Sequence, residues 1–66
     1  MKVTVNDVVV ELPDGASLSD ALDVRNIAHS GIATAINGVV VPAVKREDTI
    51  LNDGDKVLVM KAFYGG

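Results

Sequence analysis

Lys2-Val3-Thr4-Val5-Asn6-Asp7-Val8-Val9-Val10-Glu11-Leu12 is the stretch whose reading decides the fold. Residues 2–5 alternate polar and apolar, as a half-buried strand does. Asn6-Asp7 is a two-residue turn signal, and Val8 to Leu12 reads as the returning strand. Residues 2–12 are therefore expected to form a hairpin, closed off by Pro13-Asp14-Gly15. Ser17 is a good helix N-cap, and Asp20 three positions on resembles the second half of a capping box. Leu18, Ala21, Leu22 and the stem of Arg25 then share one helical face, with Asp20 and Asp23 on the other. The helix is expected to end near Asn26 or Ala28, before Ser30-Gly31.

Further along, Thr34 to Asn37 reads as a short strand, and Gly38 permits a sharp turn after it. Val39-Val40-Val41 is a second β-branched run that Pro42 stops. Arg46 to Leu51 reads as a connector with room for a helical turn. Asn52-Asp53-Gly54-Asp55 is a strong turn signal, and Lys56 to Ala62 is the last strand. The order is strand, strand, helix, strand, strand, strand. An opening hairpin, one helix and a closing strand beside the first give an α+β architecture. It is a β-grasp, or ubiquitin-like, mixed sheet of about five strands packed on one helix. The expected organisation is a β-grasp domain over 1–62 and a flexible C-terminal tail over 63–66, ending in Gly-Gly.

The final strand carries a further signal. Val57 and Val59 point to one face, and Leu58, Met60 and Ala62 to the other. Both sets are apolar, yet one helix covers only one face of a small sheet. Val57 and Val59 are assigned to the core. Leu58 and Met60 are assigned to an exposed patch of the kind that marks partner sites. The alternative is that residues 43–51 fold over that second face.

Composition narrows the function classes. The 66 residues make one domain, 48% apolar and 23% charged. A chain near this length buries about 60% of the surface it exposes unfolded, which leaves no room for a deep pocket. With no cysteine, a disulfide or zinc framework is excluded and the core must hold the fold alone. The formal net charge is −3, and Lys2, Arg25, Lys45, Arg46, Lys56 and Lys61 are scattered apart from the pair at 45 and 46. A phosphate-tracking surface is basic, so nucleic acid is not an expected partner. The N-terminus shows neither a long apolar span nor a basic segment before an apolar one. The expectation is a cytoplasmic protein, without a signal peptide and without a membrane partner.

Internal chemistry is hard to place. His29 sits in a loop beside Ser30, and Ser-His-acid catalysis needs three groups converging in a cleft. It reads as an ordinary surface residue. Asp53 and Asp55 flank Gly54, but a calcium loop needs six or more oxygen ligands, so a turn is the better reading. Gly15, Gly31 and Gly38 are isolated and form no phosphate cradle. No catalytic and no metal-binding residue is expected.

What remains is Phe63-Tyr64-Gly65-Gly66. At about 7% glycine usage, two closing glycines arise by chance in roughly half a percent of chains, so the pair asks for a use. Glycine lacks a Cβ, so such an end is thin and threads a narrow channel. Its α-carboxylate is a poor acyl donor until it becomes a mixed anhydride. A partner enzyme can achieve this with ATP and Mg²⁺, and a sulfur nucleophile can then displace AMP. The absence of an internal thiol fits, since none could capture the activated acyl group.

Three elements together carry a resemblance: Ala35-Ile36-Asn37-Gly38 with Val41-Pro42, then Leu51-Asn52-Asp53-Gly54-Asp55, then Gly65-Gly66. In order, spacing and length the chain resembles the ThiS family, the sulfur carriers of thiamine biosynthesis within the wider ThiS/MoaD ubiquitin-like group. The Gly-Asp turn and terminal Gly-Gly are shared by several ubiquitin-like carriers. The Ala-Ile-Asn and Val-Pro element is more particular to the thiamine branch. The resemblance implies a carrier, not an enzyme, that binds no cofactor of its own. An adenylyltransferase of the ubiquitin-activating type (ThiF-like) would adenylate the carboxylate of Gly66, using ATP and Mg²⁺. A sulfur donor protein such as a cysteine desulfurase would supply sulfur for a thiocarboxylate. A thiazole synthase (ThiG-like) would consume it. Gly66 is then the modified residue and Gly65 gives access. Phe63 and Tyr64, bulkier than expected there, are gripped by partners, and the strand argument adds Leu58 and Met60. A carrier for molybdopterin or another sulfur pathway, a ubiquitin-like protein modifier and a plain binding module remain as alternatives.

Overall fold

The computed structural model describes residues 1–61. Two two-residue turns build the sheet. Strands β1 (Lys2–Val5) and β2 (Val8–Glu11) are joined by Asn6 and Asp7, with φ of 49° and 68°. Strands β3 (Ile32–Ile36) and β4 (Val39–Val41) are joined by Asn37 and Gly38, with φ of 50° and 84°. Positive φ at both central positions is the turn whose twist matches paired strands. Asparagine and glycine tolerate that region, whereas β-branched residues do not. The registers follow, with Val5 opposite Val8 and Ile36 opposite Val39.

Strand β5 (Lys56–Lys61) completes a five-stranded sheet of order β2-β1-β5-β3-β4. It runs parallel to β1 and antiparallel to β3. The last strand therefore lies between the two hairpins, the mixed arrangement expected of a β-grasp. Strand β3 begins two residues earlier than the expected Thr34, because its pairing with β5 continues to Ile32 opposite Lys61.

The helix α1 (Leu18–Val24) has only seven residues, well below the 12–15 or so an isolated helix needs. Its ends and its buried face sustain it. Ser17 accepts from the Asp20 N–H at 3.2 Å while the Asp20 carboxylate accepts from the Ser17 N–H at 2.9 Å, a complete capping box. At the other end, Ile27 N–H donates to Leu22 C=O and Asn26 N–H to Asp23 C=O. This is a Schellman closure with Asn26 left-handed at φ 55°. That closure stops the helix at Val24, short of the expected Asn26 or Ala28. It also leaves Arg25 exposed rather than laid along the apolar face. Leu18 and Leu22 are completely buried, each contributing about 1.5–3 kcal/mol relative to exposure. Leu18 and Ala21 share one core cluster with Val3, Val5, Val10, Val41 and Val57 from the covered face of the sheet.

The connector departs most from expectation. Its helical turn is a 3-10 turn at Ala43–Lys45 (η1), directly after Pro42, rather than within 46–51. Pro42 presets the extended φ/ψ that leads into the turn. The segment then binds the N-terminal end of α1: Leu18 N–H donates to Thr49 C=O, Ser19 N–H to Arg46 C=O and Leu51 N–H to Ala16 C=O. Arg46 is not a surface charge but 3% exposed. Its Nε donates to Thr34 Oγ1 at 3.0 Å, and its terminal nitrogens donate to the carbonyls of His29 and Ile32, each at 2.8 Å. Thr34 passes the chain on by donating to Val41 C=O at 2.9 Å.

Removing the guanidinium strands two carbonyls and opens a hole beside Thr34. Arg46→Ala should lower stability by about 2–3 kcal/mol in urea unfolding. Arg46→Lys should recover less than half of that, because one ammonium cannot reproduce a three-point fork. Equal stability of the lysine variant and the parent would contradict this role.

Candidate functional site

Strand β5 shows how the sheet divides its two faces. Val57 is 3% exposed and Val59 packs half-buried against the core, while Leu58 and Met60 are 49% and 43% exposed. The connector does not cover the outer face, since it is bonded to the N-terminal end of α1 and to Thr34, which pairs in register with Val41 and Val59. Leu58 lies opposite Ala35, and Ala35 opposite Val40; Met60 lies opposite Ala33. These pairs form a continuous apolar strip across β5, β3 and β4. Small alanines at its centre sit low between larger neighbours, and Ala35 is only 5% exposed although it belongs to the outer face.

Burial fades along the covered side of β5. Val57 is buried, Val59 half-buried and Lys61 exposed. The strand thus leaves the cover of α1 as it approaches the terminus. Ala62, Phe63, Tyr64, Gly65 and Gly66 lie outside the described residues, so the expected tail, its modified Gly66 and its gripped aromatics do too.

Two asparagines hold β5 from its flanks. Asn37 Oδ1 accepts from Lys56 N–H at 2.9 Å, Asn37 N–H donates to Lys56 C=O at 2.8 Å, and Asn37 Nδ2 donates to Asp55 Oδ1 at 3.0 Å. Asn6 Oδ1 accepts from Val59 N–H at 2.8 Å, and Asn6 Nδ2 donates to Val59 C=O at 3.2 Å. The sequence marks Asn6 as a turn residue but reads Asn37 as the end of a strand; the structure ends β3 at Ile36 and places Asn37 in the turn at φ 50°, and neither reading reveals where a carboxamide points. Both line an open groove of about 600 Å³ on the body, with Thr4, Lys56 and Leu58.

The other polar candidates are occupied structurally. Asp53 Oδ1 accepts from Lys2 N–H at 2.7 Å and Asp55 Oδ2 from Asn52 N–H at 2.8 Å. Both carboxylates thus stabilise the turn around Gly54. His29 Nε2 lies 2.7 Å from Asp23 Oδ1, exposed to solvent. Among the described residues, no cluster of three or more histidine, cysteine or acidic side chains could hold a metal. No helix among them is long and apolar enough to cross a membrane.

A body whose last strand is so carefully placed, followed by Gly-Gly, directs attention to the whole length of the chain. Residues 2–66 match the ThiS family. The chain belongs to that family. It is 29% identical over 66 residues to the sulfur carrier protein ThiS of Escherichia coli (strain K12), with all of both chains covered. Its fold matches the crystal structure of a thiamine biosynthesis protein (ThiS) from Geobacter metallireducens with a TM-score of 0.79 at 25% identity, covering 100% of this chain and 99% of that one. An NMR solution structure of a thiamine biosynthesis protein from the same organism matches with a TM-score of 0.75 at 25% identity, covering 100% of this chain and 88% of that one. The β-grasp architecture is shared with these structures.

The two faces of β5 make opposite predictions. Leu58→Asp and Met60→Asp should each shift unfolding by no more than about 1 kcal/mol, because the new charges stay solvated. Val57→Asp should unfold the domain, since it buries an unpaired carboxylate. Circular dichroism melts of the three variants check this, and collapse of the Leu58 variant would contradict the assignment of faces.

Proposed function

We propose that this chain is a sulfur carrier for thiamine biosynthesis whose reactive group is the carboxylate of Gly66. The observation that carries the reading is the extent of the family match, which runs through Gly65 and Gly66. The chain also aligns over its whole length with a carrier of that name. The described body supports the reading from the other side. Its carboxylates and its histidine are committed to turns, caps and surface pairs, or are separately solvated, so the chemistry is assigned to the terminus.

The proposed sequence begins with attack of the Gly66 carboxylate on the α-phosphorus of ATP, with Mg²⁺ held by an adenylyltransferase of the ubiquitin-activating type. Pyrophosphate leaves and an acyl-adenylate forms. A hydrosulfide equivalent from a sulfur donor protein such as a cysteine desulfurase attacks the acyl carbon, and AMP leaves. When the donor is a persulfide, the acyl disulfide so formed needs a thiol reductant to release the thiocarboxylate. A thiazole synthase then takes the sulfur, in the cytoplasm. Partners grip Phe63, Tyr64 and Gly65 while the apolar strip at Leu58 and Met60 docks the body. Such a strip is the apolar centre that interfaces use.

Intact mass after incubation with the activating enzyme, ATP and a sulfur donor should show one oxygen replaced by sulfur at Gly66. Deleting Gly66 should abolish the change and leave the melting temperature intact. Leu58→Asp should weaken binding to the activating enzyme about tenfold or more, an effect of the size of a central interface residue. An unchanged mass with competent partners would exclude a carrier. Normal thiamine synthesis in a deletion strain would move the assignment to another sulfur pathway, such as molybdopterin, and isopeptide conjugates in extract would favour a protein modifier.

A further inference from the structure

The outer face of the sheet holds few charges, and they are unequally matched. By strand register, its charged positions are Lys2, Glu11 and Lys56. Lys2 lies opposite Glu11 and pairs with it at 3.8 Å. Lys56 is exposed and, among the described residues, forms no ion pair. The neighbouring acids are turned elsewhere. Asp53 accepts from Lys2 N–H, and the two oxygens of Asp55 accept from Asn37 Nδ2 and Asn52 N–H. Asp7 borders the same groove as Lys56 without pairing to it. Thr4 is the register partner of Lys56 on the adjacent parallel strand, about 4.8 Å away, and points to the same face. Among the described residues, the threonine hydroxyls that form hydrogen bonds are those of Thr34 and Thr49, not that of Thr4. Two grooves, of about 600 and 400 Å³, open on this corner, and Thr4 and Lys56 line both. Val9, opposite Thr4, and Leu58, two positions past Lys56, frame it with exposed apolar surface.

We propose that Thr4 and Lys56 form a carboxylate-binding corner of the docking face, filled by an aspartate or glutamate side chain of the activating enzyme. The proposal rests on the carrier reading above and extends its apolar strip toward β1. A carboxylate has two oxygens to share, and the corner offers an ammonium beside a hydroxyl, a charge-assisted bond next to a neutral one. A cationic side chain would meet like charge there. The formal net charge of −3 points to a basic partner, and the docking face points to the opposite. Local complementarity of this kind sets orientation and association rate more than total affinity.

Binding of the full-length chain to the activating enzyme is measured over a range of salt concentrations. Lys56→Gln should weaken it about threefold and flatten its salt dependence, the size of an exposed ion pair. Lys56→Glu should weaken it more than tenfold, because two carboxylates then face each other. Thr4→Val, close to isosteric, should cost about twofold. Lys45→Glu makes the same change in net charge from the exposed 3-10 turn, off the docking face, and should stay within about twofold of the parent. Melting temperatures should be unchanged, and Lys56→Gln carries the test should Lys56→Glu fail to fold. Parent-like binding by the folded Lys56 variants overturns the corner alone, as does tighter binding by Lys56→Glu or an equal loss in Lys45→Glu. Self-association of the parent that Lys56→Glu abolishes assigns the corner to a second copy of the chain and also overturns the proposal. A parent neither bound nor modified by a competent activating enzyme overturns the carrier reading, and the corner with it.

Discussion

Seven helical residues have to cover one face of a five-stranded sheet. Leu18, Ala21 and Leu22 seal the middle of that face, but so short a helix cannot reach its ends. The connector after β4 closes one of the gaps, and it does so with a buried cation. Among the described residues Arg46 finds no carboxylate; it is satisfied by the Thr34 hydroxyl and two backbone carbonyls. Burying a charge is tolerable only when its hydrogen bonds are met. The loop after the helix and the start of β3 are shaped to meet them. The helix, the connector and the start of β3 are thus parts of one closure, and no described element covers the outer face.

The elements whose cause is local were readable from the chain. The Asn6-Asp7 turn, the Ser17–Asp20 capping box and the alternation in β5 each depend on a few adjacent residues, and each is where the pattern places it; the second turn starts one residue early, at Asn37 instead of Gly38. What escaped the reading depends on distant partners. Arg46 reads as a surface charge beside Lys45, because only the fold brings three acceptors to it. Asn26 offers no periodic signal, yet its left-handed conformation shortens the helix. The 3-10 turn begins at Ala43 because Pro42 sets the backbone for it, whereas the connector's polar residues further on suggested a later start. Of the candidate site, the outward face of β5 was legible from one helix facing two apolar faces. The destination of the Asn6 and Asn37 carboxamides was not, since the same dipeptides would make the same turns with those side chains idle.

For a protein whose proposed reactive group is its last carboxylate, the fold acts as a holder. Family membership and the match over the full length place the chain among carriers. The sheet order gives the arrangement its mechanical sense. The strand that leads to the terminus is central, not peripheral. It is clasped at Lys56 by one hairpin and at Val59 by the other. An end issuing from an edge strand would move with every fluctuation of that edge.

Central placement of β5 leaves the edges to the two valine-rich strands, Val8–Val10 in β2 and Val39–Val41 in β4. Three consecutive β-branched residues with open backbone groups are the kind of segment that recruits another chain into a cross-β stack. Among the described residues no element covers either edge, and Val9, Val39 and Val40 are all well exposed. Their restraint is brevity. Strand β4 has three residues before Pro42, and β2 has four, ending on Glu11 shortly before Pro13. Brevity at these edges, set by Pro42 and by Glu11 and Pro13, thus guards a surface that the central placement of β5 leaves open.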